Sequence, residues 1–229
     1  AHNRGAALPN KLVKLLKNPP GYWDLPELPE IGSPLSQSGL IAKSQREFSD
    51  KFGAKGCFLG VNGASGLIQS AVIAMANPGE NILMPRNVHI SVIKICAMQN
   101  INPIFFDLEF STVTGHYKPI TKIWLKNVFK KLNFDENKIA GVILVNPTYH
   151  GYSGDLEPLI DCCHQKNLPV LVDEAHGSYF LFCENLNLPK PALSSNADLV
   201  VNSLHKSLNG LTQTAVLWYK GNLINEYKL

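Results

Sequence analysis

The chain lacks the cysteine spacing of a metal or redox site. Its five cysteines (Cys57, Cys96, Cys162, Cys163 and Cys183) include one adjacent pair and no Cys-x-x-Cys. An odd number without framework spacing argues against a disulfide-stapled secreted domain and for reduced thiols in a cytoplasmic compartment. No apolar run reaches membrane-spanning length, and the first residues lack a basic head followed by an apolar core, so neither a spanning helix nor a signal peptide is expected. Charge is equally unspecialised: 21 Lys and Arg against 18 Asp and Glu leave a net +3. That excess is too slight and dispersed for a nucleic-acid or anionic-membrane surface. The densest basic pair, Lys130-Lys131, reads as a solvated helix face. Two nucleotide signatures are also missing, the GxGxxG fingerprint and a P-loop ending in Gly-Lys-Ser/Thr, which removes the usual dinucleotide and triphosphate readings.

What is present is an ordinary globular composition, 45% hydrophobic over 229 residues, enough for one large core. Residues 1–40 hold six prolines (Pro9, Pro19, Pro20, Pro26, Pro29 and Pro34) around one helix-like stretch, Lys11 to Lys17, and read as an arm or lid. A surface helix from Ile41 to Phe52 follows, and then strands and helices alternate. Strands are expected at Cys57–Val61, Asn81–Pro85, Asn102–Asp107, Ile139–Val145, Pro169–Val172, Leu199–Asn202 and Thr214–Tyr219. Between them helical spacing runs after Gly66, from Val88 to Gln99, from Thr121 to Leu132, and through Leu156, Leu159, Ile160 and Cys163, the last with Asp155 as its cap. Glu109 to Pro119 is turn-rich, and Tyr179 to Asn196 reads as loop. Strands separated by helices specify an α/β fold, a three-layer α/β/α sandwich around a mainly parallel, roughly seven-stranded sheet. The organisation expected is an N-terminal arm over 1–40 and a single major domain over 41–229. The chain starts without methionine and stops soon after a strand, so both ends are expected to be cut.

Two strand ends carry the chemistry. Val170-Leu171-Val172 runs into Asp173-Glu174-Ala175-His176-Gly177, and Leu199-Val200-Val201-Asn202 into Ser203-Leu204-His205-Lys206. Apolar runs that stop abruptly in charged residues mark the carboxyl edge of an open sheet, where such folds keep their sites. A carboxylate and an amine converging there suit a site that holds a cationic heterocycle and attacks a carbonyl, as in a pyridoxal phosphate enzyme. Asp173 needs a partner to offset desolvation; a metal or a structural salt bridge is the alternative. Lys206 among apolar neighbours is expected to be a desolvated nucleophile, against the alternative of a surface lysine. Gly63-Ala64-Ser65-Gly66 between strand and helix can hold a phosphate on free amides and the Ser65 hydroxyl, or be an ordinary serine cap. Ser203 and His205 can add donors to the same phosphate. Ala175 leaves room for a flat ring, and His89 can stack on one or merely cap its helix.

Taken in order, Asn62-Gly63-Ala64-Ser65-Gly66, Pro85-Arg86-Asn87-Val88-His89, Asn146-Pro147-Thr148-Tyr149-His150-Gly151, Val172-Asp173-Glu174-Ala175-His176-Gly177 and Ser203-Leu204-His205-Lys206 resemble the major domain of the bacterial ornithine/lysine/arginine decarboxylases, of the aspartate aminotransferase fold (fold type I). The likeness covers nearly the whole chain. Ala1-His2-Asn3-Arg4-Gly5 is similar to the tail of the family's Pro-Gly-His-x-x-Gly opening, and Asp24-Leu25-Pro26-Glu27-Leu28 to its Asp-x-Thr-Glu-Leu stretch.

The resemblance implies pyridoxal 5'-phosphate as cofactor and decarboxylation of lysine, ornithine or arginine to an amine of polyamine metabolism. It implies Lys206 as the residue joined to the cofactor, Asp173 as the acid that keeps its ring nitrogen protonated, and His89 as the stacked ring. Ala64, Ser65, Gly66, Ser203 and His205 match the phosphate cup, and Ala175 and His176 the positions lining the ring. Many family members have a hydroxyl where Gly66 stands and lysine where Ile90 stands. A cytoplasmic homodimer or larger homo-oligomer, no metal, and a smaller C-terminal domain missing from this chain are also implied. The alternatives are another fold-type-I chemistry (aldolase, lyase or aminotransferase) and a truncated remnant without turnover.

Overall fold

The computed structural model describes residues 9–33, 36, 38–132, 138–183, 186, 188–225 and 228–229. The family-like opening at Ala1–Gly5 lies outside them. Helix α1 (Asn10–Leu16) and a 3-10 turn at Pro20–Tyr22 carry no buried residue, as expected of a stretch with so many prolines and so few apolar contacts. Helix α2 (Gly39–Phe52) ends on Gly53 in the left-handed conformation, the usual way for a glycine to stop a helix.

The alternation then runs β1 (Gly56–Gly60), α3 (Gly63–Met75), β2 (Asn81–Pro85), α4 (Ile90–Met98) and β3 (Asn102–Phe106). A small hairpin, β4 (Phe110–Ser111) and β5 (His116–Tyr117), interrupts it in the turn-rich stretch. There follow α5 (Lys122–Lys131), β6 (Ile139–Val145), α6 (Glu157–His164), β7 (Val170–Asp173), β8 (Leu199–Ser203), the single turn α7 (Leu204–Ser207) and β9 (Ala215–Tyr219). Thr121 caps α5 by accepting a hydrogen bond from Trp124 N at 3.2 Å. Asp155 does not cap α6. The N-cap there is Leu156, with no side-chain bond, because the helix starts later and has Pro158 in its first turn, where an amide donor is absent anyway.

Among the described residues the large sheet has seven strands in the order β1-β9-β8-β7-β6-β2-β3. Pairings β2·β3, β2·β6, β6·β7 and β7·β8 are parallel. Strand β9 is antiparallel to both β1 and β8, which the apolar run Ala215–Tyr219 does not disclose. The fold is thus the expected three-layer α/β/α sandwich with a mainly parallel sheet.

Successive side chains on a strand face opposite ways, and both faces here are dry. Ile82, Met84, Ile143, Leu171, Leu199 and Val201 pack under α3 and α4. Leu83, Val142, Leu144, Val170, Val172 and Val200 pack on the other face under α5 and α6. Trp218 of β9 is fully buried on that second face, with its ring 5.0 Å from Phe48 and 5.4 Å from Phe52 of α2.

Candidate active site

Strand order places the site before any side chain is considered. From β2 the chain moves outward to β3, whereas from β6 it moves the other way through β7 to β8. The crevice at the carboxyl ends, where the direction reverses, is the usual ligand position in such sheets. Strand β1 points the same way as β8, since both are antiparallel to β9. The turn after β1 therefore opens on the same edge as the ends of β2, β6, β7 and β8.

That edge collects the residues singled out above. Asp173 ends β7 and is buried, with Oδ1 accepting a hydrogen bond from Ala175 N at 3.1 Å. Burial pushes its carboxyl above the usual range, while the Ala175 amide and the positive charges of Lys206 and His89 pull it back. Lys206 sits on α7, and its Nζ lies 3.2 Å from Nε2 of His176. Burial first, then Lys206 and His89, hold the His176 imidazole below its ordinary pKa. This favours the neutral imidazole, whose Nε2 can accept a hydrogen bond from Lys206 Nζ and so hold the amine in place. Asp173, His176, Lys206 and His89 lie within electrostatic reach of one another, although they come from three different strand ends.

Lys206 is not desolvated as expected: α7 is one turn that carries it past the end of β8 into an exposed position. His89 is the N-cap of α4, its Nδ1 accepting from Ser91 N at 3.2 Å and lying 2.8 Å from Ser91 Oγ. The capping role is real, and it orients an exposed ring at the site edge.

Ala64, Ser65 and Gly66 lie in the first turn of α3, which starts at Gly63, so Ser65 is inside the helix rather than its cap. A side chain at position 66 would put its Cβ 3.0 Å from Asn62 Cβ, a tight contact that the Asn62 side chain would have to yield to. Gly177 is held more closely still: a Cβ there would meet Pro147 Cδ and Glu174 Cγ, each at 2.7 Å. Ala175 is buried, and His205 is half-buried on α7. Ser203 is fully buried, its carbonyl accepts from Ser178 Oγ at 2.9 Å, and its own Oγ makes no hydrogen bond. An unpartnered buried hydroxyl is costly, and an anionic oxygen would satisfy it. The donor set and the buried acid fit a group with an anionic tail and a cationic ring nitrogen.

Several neighbours were not evident from sequence. The Tyr149 ring meets His176 edge-on at 5.4 Å, and His150 stacks on His116 of β5 at 3.9 Å, which ties the small hairpin to the site. Asn146 is buried with Nδ2 unpartnered. Glu174, beside Asp173, is fully buried and anchors a network of its own. Asn146, Tyr149, His150 and Glu174 stand inside the motifs given above, whereas His116 has no mark in the sequence.

Residues 22–229 match the family model described as Orn/Lys/Arg decarboxylase, major domain. An arginine decarboxylase of Bacillus cereus is 36% identical over 187 residues, covering 82% of this chain and 39% of that protein. One of Bacillus subtilis is 31% identical over 225 residues, covering 98% of this chain and 45% of that protein. The chain thus spans less than half the length of the curated relatives it matches. The solved constitutive lysine decarboxylase of Escherichia coli shares the fold with a TM-score of 0.71 at 20% identity, over 84% of this chain and 28% of that one.

Proposed function

The chain belongs to the Orn/Lys/Arg decarboxylase family, major domain, and from that membership we propose that the protein decarboxylates a basic amino acid with pyridoxal 5'-phosphate. The observation that carries the proposal is the meeting of Asp173, His176 and Lys206 at the switch point of the sheet, with Nζ of Lys206 3.2 Å from His176 Nε2. Lys206 would be the point of attachment and Asp173 the partner of the ring nitrogen, with His89, Ala175 and His176 around the ring. Ala64, Ser65, Gly66, Ser203 and His205 would take the phosphate. When bound, the cofactor supplies an electron sink for the pair released as the bond to the carboxylate breaks.

The remaining work belongs to side chains. His176 accepts a hydrogen bond from Lys206 Nζ and so fixes where the attacking amine stands. Asp173 is unfavourable as a bare buried anion, and a cation beside it restores its ionised form. His89, exposed and held by Ser91, is placed to deliver a proton at the open face. Arginine is the favoured substrate among the three, because the curated relatives at 31% and 36% identity carry that name. A homodimer, or a further domain, would cover the site, since Tyr149 is 79% exposed at its rim.

The test is release of carbon dioxide by the full-length protein loaded with pyridoxal phosphate, offered arginine, lysine and ornithine in turn. Release from arginine above the other two is expected. Release from none of them, by protein that holds the cofactor, would refute decarboxylation and favour another chemistry on this fold.

A further inference from the structure

Glu174 is the least exposed ionisable side chain beside the site, at 0%, and none of the steps above uses it. Its hydrogen bonds run in one direction. Trp218 Nε1 donates to Asn202 Oδ1 at 2.8 Å, and an indole nitrogen can only donate, so the amide of Asn202 has a fixed orientation. Asn202 Nδ2 therefore faces Glu174 and donates to its Oε2 at 3.0 Å and to its backbone oxygen at 3.1 Å. Ala192 N donates to the remaining oxygen, Oε1, at 2.8 Å. Both side-chain oxygens must accept, which a carboxyl group does whether ionised or protonated and a primary amide does not.

The place of this network matters as much as its polarity. The β7·β8 ladder ends with Asp173 opposite Val201, and Glu174 N adds one further bond to Val201 O at 3.0 Å. Beyond that point the side chains of Glu174 and Asn202 join the two strand ends, one residue after Asp173 and one residue before Ser203. Trp218, clamped by Phe48 and Phe52, ties the pair to the interior.

We propose that Glu174 is a positioning residue: with Asn202 it fixes the carboxyl end of β7 to that of β8, and so sets where Asp173 stands relative to the turn carrying Ser203 and Lys206. The inference rests on pyridoxal phosphate being the group held between them. Substituting Glu174→Gln turns one acceptor into a donor that faces either Ala192 N–H or Asn202 Nδ2–H. Turning the Asn202 amide over only passes the mismatch to Trp218.

The experiment titrates pyridoxal phosphate into the full-length protein, fixes the bound fraction on Lys206 with borohydride and measures it by peptide mass. In E174Q the half-saturation concentration should rise about tenfold, the equivalent of one buried donor left unmatched. Asp198→Asn is the structural control, since it weakens the bonds of Asp198 to Val170 N and His164, both 2.8 Å, away from the site. At a matched loss of thermal midpoint, D198N should leave the fixation curve in place. Adding Trp218→Phe to E174Q frees the Asn202 amide to turn and should recover part of the loss.

Equal shifts in E174Q and D198N, or a double variant worse than E174Q, would overturn the positioning role. If E174Q yields no folded protein, W218F alone carries the test. It should raise the half-saturation concentration, and an unchanged curve counts against the proposal. Wild-type protein that is never fixed overturns the cofactor reading and this inference with it. Wild-type fixation that E174Q shares unaltered overturns this inference alone.

Discussion

Burial of Glu174 makes the stability of the protein fall as pH rises. Desolvation pushes its carboxyl from 4.5 up to about 8, with the negative charge of Asp173 adding to the rise and the Asn202 and Ala192 hydrogen bonds opposing it. A carboxyl whose pKa is raised by folding binds its proton more tightly in the folded state. Its contribution is therefore complete below the unfolded value and is lost as pH climbs through the folded one. Between pH 5 and pH 8 the full slope of roughly 1.4 kcal/mol per unit would give about 4 kcal/mol, and the partial ionisation already reached at pH 8 trims the loss to about 3.5 kcal/mol. Asp173 is shifted the same way and steepens the decline, so the wild-type profile alone does not isolate Glu174. The assay is urea unfolding of wild type and Glu174→Gln at pH 5, 6, 7 and 8. The variant carries a fixed mismatch cost but has nothing to titrate at position 174. The stability difference between the two should shrink by about 3.5 kcal/mol on going from pH 5 to pH 8. A difference that stays constant would show that burial does not shift this group, and would refute the reasoning.

Other outcomes follow from the same geometry. Asp173→Ala should lower turnover by about a hundredfold or more, the usual cost of losing a preorganised charge partner, while cofactor affinity measured by dialysis falls far less; equal losses would contradict the division of roles. His176→Phe keeps a ring against Tyr149 but removes the acceptor 3.2 Å from Lys206 Nζ. The pyridoxal phosphate concentration at which half of Lys206 is fixed by borohydride should then rise about fivefold, the equivalent of one lost hydrogen bond of ~1 kcal/mol, and an unmoved midpoint would dismiss His176 as the partner that holds the amine in place. Ile143→Ala on the central strand, where the side chain has no exposed surface, should cost about 2–5 kcal/mol in urea unfolding, and a cost below ~1 kcal/mol would mean that this face is not close-packed.

How much could be read in advance depends on how the signal was written. Strands β2 and β6 occupy the expected residues, Asn81–Pro85 and Ile139–Val145, because an aliphatic run stopped by proline or Asn-Pro has few other solutions. Asp173 and Lys206 stand out by the same logic, polar residues at or just past the ends of buried strands, and the structure brings both to one edge of the sheet. Strand direction was hidden: Ala215–Tyr219 is as apolar as its parallel neighbours, and only pairing with β1 and β8 reveals it as antiparallel. The two-residue strands of the hairpin are too short for any period to show. Lys206 looked desolvated because its sequence neighbours are apolar or aromatic. A single helical turn sends it outward, a geometric fact with no compositional mark. Glu174 was overshadowed by Asp173. Its role depends on Asn202, Ala192 and Trp218, which are brought together only by tertiary structure.

The central claim is that Lys206 and Asp173 hold opposite ends of one cofactor ring. The most direct measurement treats the full-length protein with pyridoxal phosphate and borohydride and maps the added mass by peptide sequencing, in wild type and in Lys206→Ala. The account predicts one modified residue, Lys206, in the wild type and none in the variant. Modification spread over Lys126, Lys130 and other surface lysines, and unchanged in the variant, would contradict it.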